Sequence, residues 1–287
     1  MNATGPERGG MGRSLALHQI TVLQCSPPEL VSIAAAVGCD AVCVFVQTPS
    51  SPGPGRPAFP RVTQVMLPAM RARMRDTGIA VTNLEYFPLT ADVNLDDYRP
   101  ALELGAALGA RRAVVHLHDA DDQRGTDTLA RFAGLAAEYG LAAGLEFMGL
   151  SPGCPDVARA VRLVERIGLA NLGIAVDPMH LQRTGGTPRD LAGLRRGLLS
   201  HAQLCDVPAL ADPATALEPV RYVAEAFERL VPGAGVCPLA ELLQVVPPDL
   251  PLDVEVPALR LAIAGSAPLV HARRAVDAAR RLLAALD

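Results

Sequence analysis

Short apolar runs of strand length alternate with amphipathic stretches of helix length along the whole chain, and this alternation constrains the fold more than any other feature. Such an order is typical of βα units whose strands form a parallel sheet. The eight predicted strands cover residues 15–22, 40–47, 79–85, 113–118, 143–147, 172–177, 199–204 and 252–255. Eight regular βα units within 287 residues favour a single (β/α)8 barrel over a doubly wound sheet.

Cap and turn residues support these boundaries. Ser26, Asp96 and Thr187 stand before predicted helices, the last two of which cover residues 98–108 and 189–197. Five glycines lie where a helix ends and the next strand begins, as a left-handed C-cap requires: Gly38, Gly78, Gly109, Gly140 and Gly168.

No shift in composition marks a boundary between domains. We therefore predict a flexible N-terminus over residues 1–14 and one barrel domain over residues 15–287. Two long loops are expected at residues 49–60 and 206–236. Long loops at the carboxyl end of a barrel commonly carry substrate contacts and lids.

Composition excludes several functions. A net charge of -4, with ten Phe and Tyr residues and no Trp, leaves neither a basic surface nor stacking platforms for nucleic acid. The apolar runs are too short to span a membrane, and no secretory signal is visible, so we expect a cytoplasmic protein. All 26 basic residues are Arg, which excludes chemistry through a lysine Schiff base. The six scattered cysteines are predicted to be buried thiols.

Polar residues close the last four predicted strands, where a barrel places its active site. They are Glu146, Asp177, Gln203 and Glu255. Three carboxylates converging on one mouth repel each other unless a cation lies between them. An oxygen-rich set without thiolate favours Mn²⁺ or Mg²⁺, with Co²⁺ and Zn²⁺ as alternatives. The competing interpretation is that each acid caps the next helix, and Pro after Asp177 is typical of such a cap.

Four segments carry a resemblance to a known family. They are Leu145-Glu146-Phe147, the run from Asn171 to His180 that contains Asp177-Pro178-Met179-His180, Gln203-Leu204-Cys205-Asp206, and Asp253-Val254-Glu255-Val256-Pro257. Together they resemble the xylose-isomerase-like TIM barrels of the sugar phosphate isomerase and epimerase family, from about Leu15 to Asp287.

The resemblance implies one divalent metal held by Glu146, Asp177, Gln203 and Glu255, with His180 facing the substrate. Many relatives have His where this chain has Gln203, and some relatives that resemble 3-dehydroshikimate dehydratases have Gln there. His201, two residues earlier, points the same way but one layer deeper by strand alternation, and we interpret it as structural.

Further substrate contacts are predicted around the mouth. Arg229 lies in a segment, Arg229 to Gly235, that resembles the family's Arg-x-x-Pro-Gly-x-Gly loop, whose arginine reaches the substrate. His116 and His118 alternate on one strand, and His118 is the nearer to the mouth, so it is the predicted substrate contact. Glu85, at the end of the third strand, is a further mouth residue. A solvated loop arginine and core histidines are the alternatives.

These residues lead to a functional hypothesis. The resemblance implies that Glu146 and Glu255 transfer protons on either side of an enediolate, so the first hypothesis is a metal-dependent isomerase or epimerase of a sugar, sugar phosphate or polyol ketone. Expulsion of a hydroxyl instead makes a lyase, the dehydratase of a 3-dehydroshikimate or an inosose. A barrel that binds a ligand without turnover is a further alternative. An apurinic endonuclease is disfavoured because such enzymes need more histidine ligands for a multi-metal cluster and a basic face for DNA. The resemblance also implies a homodimer or homotetramer.

Overall fold

The computed structural model describes residues 13–47, 59–212 and 218–286. Eight parallel strands form a closed barrel in chain order, with the first strand paired to both the second and the eighth. The strands are β1 (Leu15–His18), β2 (Ala41–Phe45), β3 (Ala80–Leu89), β4 (Arg112–Leu117), β5 (Ala142–Glu146), β6 (Leu172–Val176), β7 (Leu199–Leu204) and β8 (Leu252–Val254). The predicted (β/α)8 TIM barrel is confirmed.

Helices follow the strands around the barrel. They are α1 (Pro27–Ala36), α2 (Leu67–Thr77), α3 (Arg99–Ala107), α4 (Asp122–Glu138), α5 (Val157–Ile167), α6 (Pro178–Arg183), α7 (Pro219–Ala226), α8 (Leu239–Val245), α9 (Leu259–Ile263) and α10 (Pro268–Ala284). All five predicted capping glycines have positive φ; Gly78 and Gly168, for example, have φ of 74° and 68° directly after α2 and α5. Glycine adopts this left-handed conformation without the steric cost that other residues meet.

Several element boundaries differ from the prediction. The strand predicted over residues 15–22 ends at His18, because the next four residues form a 3-10 turn. The helix predicted over residues 189–197 is only a 3-10 turn, Pro188–Leu191. The loop predicted over residues 206–236 contains α7. The predicted loop at residues 49–60 and the predicted flexible N-terminus lie almost wholly outside the described residues.

Inward-facing side chains fill the barrel below its mouth, and some of them are polar. Asn83 on β3 donates a hydrogen bond to Asp253 on β8 at 2.6 Å. His201 on β7 is fully buried and lies close to Gly144 on β5, whose position leaves no room for a Cβ without tight contact with Ser200 and His201. His201 therefore lies in the packed interior, as strand alternation predicted. Among the described residues, no helix is both long and apolar enough to cross a bilayer.

Candidate metal centre

Four neighbouring strands bring the predicted ligands to one end of the barrel. Glu146 is the last residue of β5, Asp177 follows β6, Gln203 lies near the end of β7, and Glu255 follows β8. All four residues are at least 95% buried, and their side chains face inward at the carboxyl end of the sheet. They lie around a cavity of about 280 Å³, to which Glu146, Gln203 and Glu255 contribute lining atoms. Parallel strands with alternating side chains place such residues together.

The two carboxylate oxygens of Asp177 have different partners. Oδ1 accepts hydrogen bonds from the backbone N–H groups of Met179 and His180, at 2.6 and 3.3 Å, and so caps α6. Oδ2 lies 3.7 Å from His180 Nε2 and accepts a hydrogen bond from Arg229. Asp177 is therefore a helix cap through one oxygen, and it presents the other to the centre of the barrel.

Arg229 contacts two of the predicted ligands. Its Nη1 donates to Asp177, and its Nη2 lies 3.3 Å from Glu255 Oε1. The side chain is 7% exposed and lines the cavity. The guanidinium thus offsets the negative charge of Asp177 and Glu255. It also lies where it can make the predicted contact with a substrate.

Asp206 holds the loop that carries this arginine. Its buried carboxylate accepts four backbone N–H groups, from Val207, Gly233, Gly235 and Cys237, at 2.9 to 3.1 Å. A Cβ on Gly235 would lie 2.1 Å from the Val207 carbonyl oxygen, so only glycine fits there. The backbones of Asp206 and Leu230 also exchange two hydrogen bonds. These hydrogen bonds therefore hold the backbone of the loop from which the Arg229 side chain extends.

Glu146 and Glu255 have opposite electrostatic environments. Burial disfavours the charged form of Glu146, but the hydrogen bond and charge of His116, with His180 and Arg229, lower the pKa of Glu146 to about 2. His116 Nε2 lies 2.9 Å from Glu146 Oε2. Burial raises the pKa of Glu255 to about 8, although Arg229 and His18 oppose this shift.

Family membership follows from comparison with known sequences. Residues 31–282 match the family described as xylose isomerase-like TIM barrel. The chain belongs to this family. None of the functionally curated proteins matches the sequence significantly.

Solved structures share the same fold. The IolI protein with a bound zinc atom superposes with a TM-score of 0.76 at 15% identity, over 96% of this chain and 99% of that one. A D-allulose 3-epimerase from Methylomonas sp. gives 0.69 at 11% identity, over 95% and 98%. A fusion of a xylose isomerase-like TIM barrel with a 4-hydroxyphenylpyruvate dioxygenase gives 0.74 at 19% identity, over 93% of this chain. The chain spans 42% of that fusion protein's length.

The acidic centre of this xylose isomerase-like barrel fits a divalent ion. Among the described residues, Gln203 Oε1 and Glu255 Oε2 are buried oxygens without a hydrogen-bond partner. Ligand atoms of Glu146, Asp177 and His180 lie within 4.8 Å of one another. Buried acceptors without donors are costly, and oxygen donors of this kind are suited to hard divalent ions.

His180 is oriented by a residue that the sequence analysis missed. Its Nδ1 lies 2.7 Å from the hydroxyl of Tyr222 on α7, and the two rings stack with centroids 5.6 Å apart. The same hydroxyl accepts the Gly149 N–H at 3.1 Å. His180 Nε2 lies 3.7 Å from both Glu146 Oε1 and Asp177 Oδ2. Tyr222 escaped notice because its segment was predicted to be a loop.

Glu85 and three histidines also line the cavity. His18 Nε2 lies 3.3 Å from Glu85 Oε1 and 3.9 Å from Glu255 Oε2. His18 ends β1, and it was missed because that strand was predicted to continue to residue 22. His118 lines the cavity, half-buried, with Ser151 Oγ 3.5 Å from its Nδ1, whereas His116 contacts Glu146. Strand alternation brings both histidines to the mouth, as predicted.

Proposed function

We propose that this chain is a divalent-metal-dependent isomerase or epimerase that transfers a proton next to the carbonyl of a sugar-like hydroxy ketone. The observation that carries the proposal is the pair of unpartnered buried oxygens, Gln203 Oε1 and Glu255 Oε2, beside the carboxylates of Glu146 and Asp177. We assign Glu146, Asp177, Gln203 and Glu255 as the ligands. The zinc-bound structural neighbour supports a divalent ion here, and the epimerase neighbour supports the reaction class.

Glu146, Asp177, Gln203 and Glu255 would hold a divalent ion, which would supply Lewis-acid chemistry by polarising a substrate carbonyl. Proton transfer falls to the protein. Glu146 Oε2 is occupied by His116, so Oε1 is the oxygen left to accept a proton from substrate carbon. Glu255, which also lines the cavity, is the residue that we assign to return a proton to the substrate. His180 and Arg229 orient the substrate oxygens, and we also assign His118 and Glu85 to substrate binding.

A dehydratase is the second candidate. Gln203, in place of the His of many relatives, favours it, because Gln stands at that position in relatives that resemble 3-dehydroshikimate dehydratases. The two reactions begin with the same proton abstraction and differ in whether a hydroxyl leaves the neighbouring carbon. A conjugated, ultraviolet-absorbing product therefore distinguishes the dehydratase from an isomerase or epimerase.

The metal assignment is tested by elemental analysis and thermal melting. We expect one Mn²⁺ or Mg²⁺ per chain, a lower Tm after chelation, and recovery on metal addition. Glu255→Gln should lose the metal-dependent increase in Tm, whereas Glu103→Gln, the same change at an exposed site on α3, should retain it. A wild-type Tm that changes neither with chelator nor with added metal would overturn the four-ligand assignment.

The reaction is tested by deuterium incorporation. The metal-loaded protein is incubated in D2O with a panel of ketoses, and exchange at the carbons next to the carbonyl is followed by NMR. We expect exchange in the wild type and in Glu103→Gln, and none in Glu146→Gln. Exchange that survives in Glu146→Gln would remove this residue from the proposed proton transfer.

A further inference from the structure

The cavity above the acidic centre has an apolar wall. Phe45 is the last residue of β2, and the other wall residues come from segments that follow strand ends, at the carboxyl end of the barrel. They are Ile20, Phe45, Phe59, Met148, Leu150, Val223, Ala226 and Phe227. The polar residues at the strand ends form the floor of the cavity and contact one part of a substrate. The apolar wall contacts the rest.

Three phenylalanines form a continuous part of this wall. Phe45 and Phe59 stack with ring centroids 5.1 Å apart, and Phe59 and Phe227 stack at 5.9 Å. The edge of His18, which contacts Glu85 on the floor, packs against Phe45 with centroids 5.8 Å apart. Phe59 and Phe227 are only half-buried. Their remaining surface is available to a bound molecule.

This wall discriminates between substrate tails. A hydroxylated tail placed against the rings gives up hydrogen bonds to water without replacement from these side chains, whereas an apolar tail gains from leaving water. Among the described residues that line the cavity, Arg229 is the one arginine, and its guanidinium already contacts Asp177 and Glu255. Among these described lining residues, no uncommitted guanidinium is available to a phosphate on the tail.

We infer that the substrate is an unphosphorylated hydroxy ketone whose far end is apolar and ring-sized, seated against Phe45, Phe59 and Phe227. The inference rests on the proposed function for its head group, and it narrows the sugar-like class to molecules without hydroxyls on the tail. The apolar wall contacts the tail of the substrate, and the carboxylates of the acidic centre lie at its hydroxy ketone head.

The test uses probes that share a hydroxymethyl ketone head: hydroxyacetone, benzyl hydroxymethyl ketone, D-fructose and D-fructose 6-phosphate. Affinities are measured by calorimetry with the Mn²⁺-loaded full chain. We expect the benzyl probe to bind at least about tenfold more tightly than hydroxyacetone or D-fructose, from the area of the buried ring. Equal affinities, or tightest binding of fructose phosphate, would overturn the inference.

Two variants distinguish binding of the benzyl probe at the apolar wall from nonspecific binding of that probe elsewhere. Phe227→Ala should reduce the affinity ratio of the benzyl probe to hydroxyacetone to below about threefold, because the benzyl ring loses one of the three phenylalanines of the wall. Phe59→Ala provides a second measurement if the first variant folds poorly. Val220→Ala, an exposed change on α7, should keep the wild-type ratio. A ratio that is unchanged in both phenylalanine variants would contradict the assigned wall.

Exchange of the hydroxymethyl protons for deuterium tests the proposed proton transfer independently of binding affinity. Benzyl selectivity that depends on the phenylalanines, without exchange in any probe, supports the apolar tail and overturns the proton-transfer function. Exchange without benzyl selectivity supports the function and overturns the tail. Each proposal therefore fails by its own measurement.

Discussion

Arg229 forms a buried ion pair with Asp177, so a loop that precedes β8 neutralises a predicted metal ligand at the end of β6. The same guanidinium lies 3.3 Å from Glu255 Oε1. The arginine therefore acts on two of the carboxylates that we propose as metal ligands.

Replacing Arg229 should make the protein depend on metal for its stability. Arg229→Met leaves Asp177 and Glu255 buried without their cation, and loss of one partner of such a pair costs about 3 to 5 kcal/mol. We expect most of this loss in the free energy of unfolding in chelator, and a smaller loss with Mn²⁺ present. Urea unfolding under both conditions measures it. Arg189→Met, at an exposed ion pair, should change little, and an equal loss with and without Mn²⁺ would contradict the shared role.

Asp206 should act on the centre through the loop it anchors. Asp206→Asn replaces one acceptor oxygen by an amide donor that faces backbone N–H groups, which should cost about 1 to 3 kcal/mol of unfolding free energy. Because Arg229 depends on this loop, metal affinity should change as well. Asp249→Asn, which alters an exposed ion pair, is the matched control. Unchanged metal affinity in a destabilised Asp206→Asn would limit this residue to a structural role.

Tyr222 should orient His180 through its hydroxyl. Tyr222→Phe keeps the stacked ring but removes the hydrogen bonds to His180 and Gly149, so deuterium exchange should slow by about tenfold while stability falls by about 1 kcal/mol. Tyr222→Leu also removes the stacking and should be slower still. Wild-type exchange in Tyr222→Phe would show that the ring alone positions the histidine.

His118 should make stability depend on pH. Burial, with the nearby His116, lowers the pKa of His118 from 6.5 to about 4. Between these values the unfolded chain binds the proton and the folded chain does not, so the free energy of unfolding falls as the pH drops from 6.5 toward 4.

For this half-exposed ring, solvent screening limits the loss to the order of 1 to 2 kcal/mol. Urea unfolding at several pH values within this window measures it in the wild type and in His118→Asn. The variant should lose less stability than the wild type. Parallel pH profiles for the two proteins would show that His118 does not contribute.

The order of elements and the positions of the polar residues at the strand ends were predictable because they depend on local periodicity. Apolar runs located all eight strands, glycines with positive φ ended the helices, and Glu146 and Glu255 lie at the mouth because they close two of those runs. The ends of β1 and β3 were misjudged, since the 3-10 turn after His18 and the extension to Leu89 depend on neighbouring strands and loops.

Only the tertiary structure decided which side chains meet above the strand ends. The ion pair of Arg229 with Asp177, the stacking of Tyr222 on His180 and the aromatic wall join residues from separate segments. Periodicity carries no information about such pairs, because loop paths are set by long-range contacts such as the four N–H groups that Asp206 accepts. The sequence by itself determined the barrel and the residues at its strand ends, and folding determined how loops surround them.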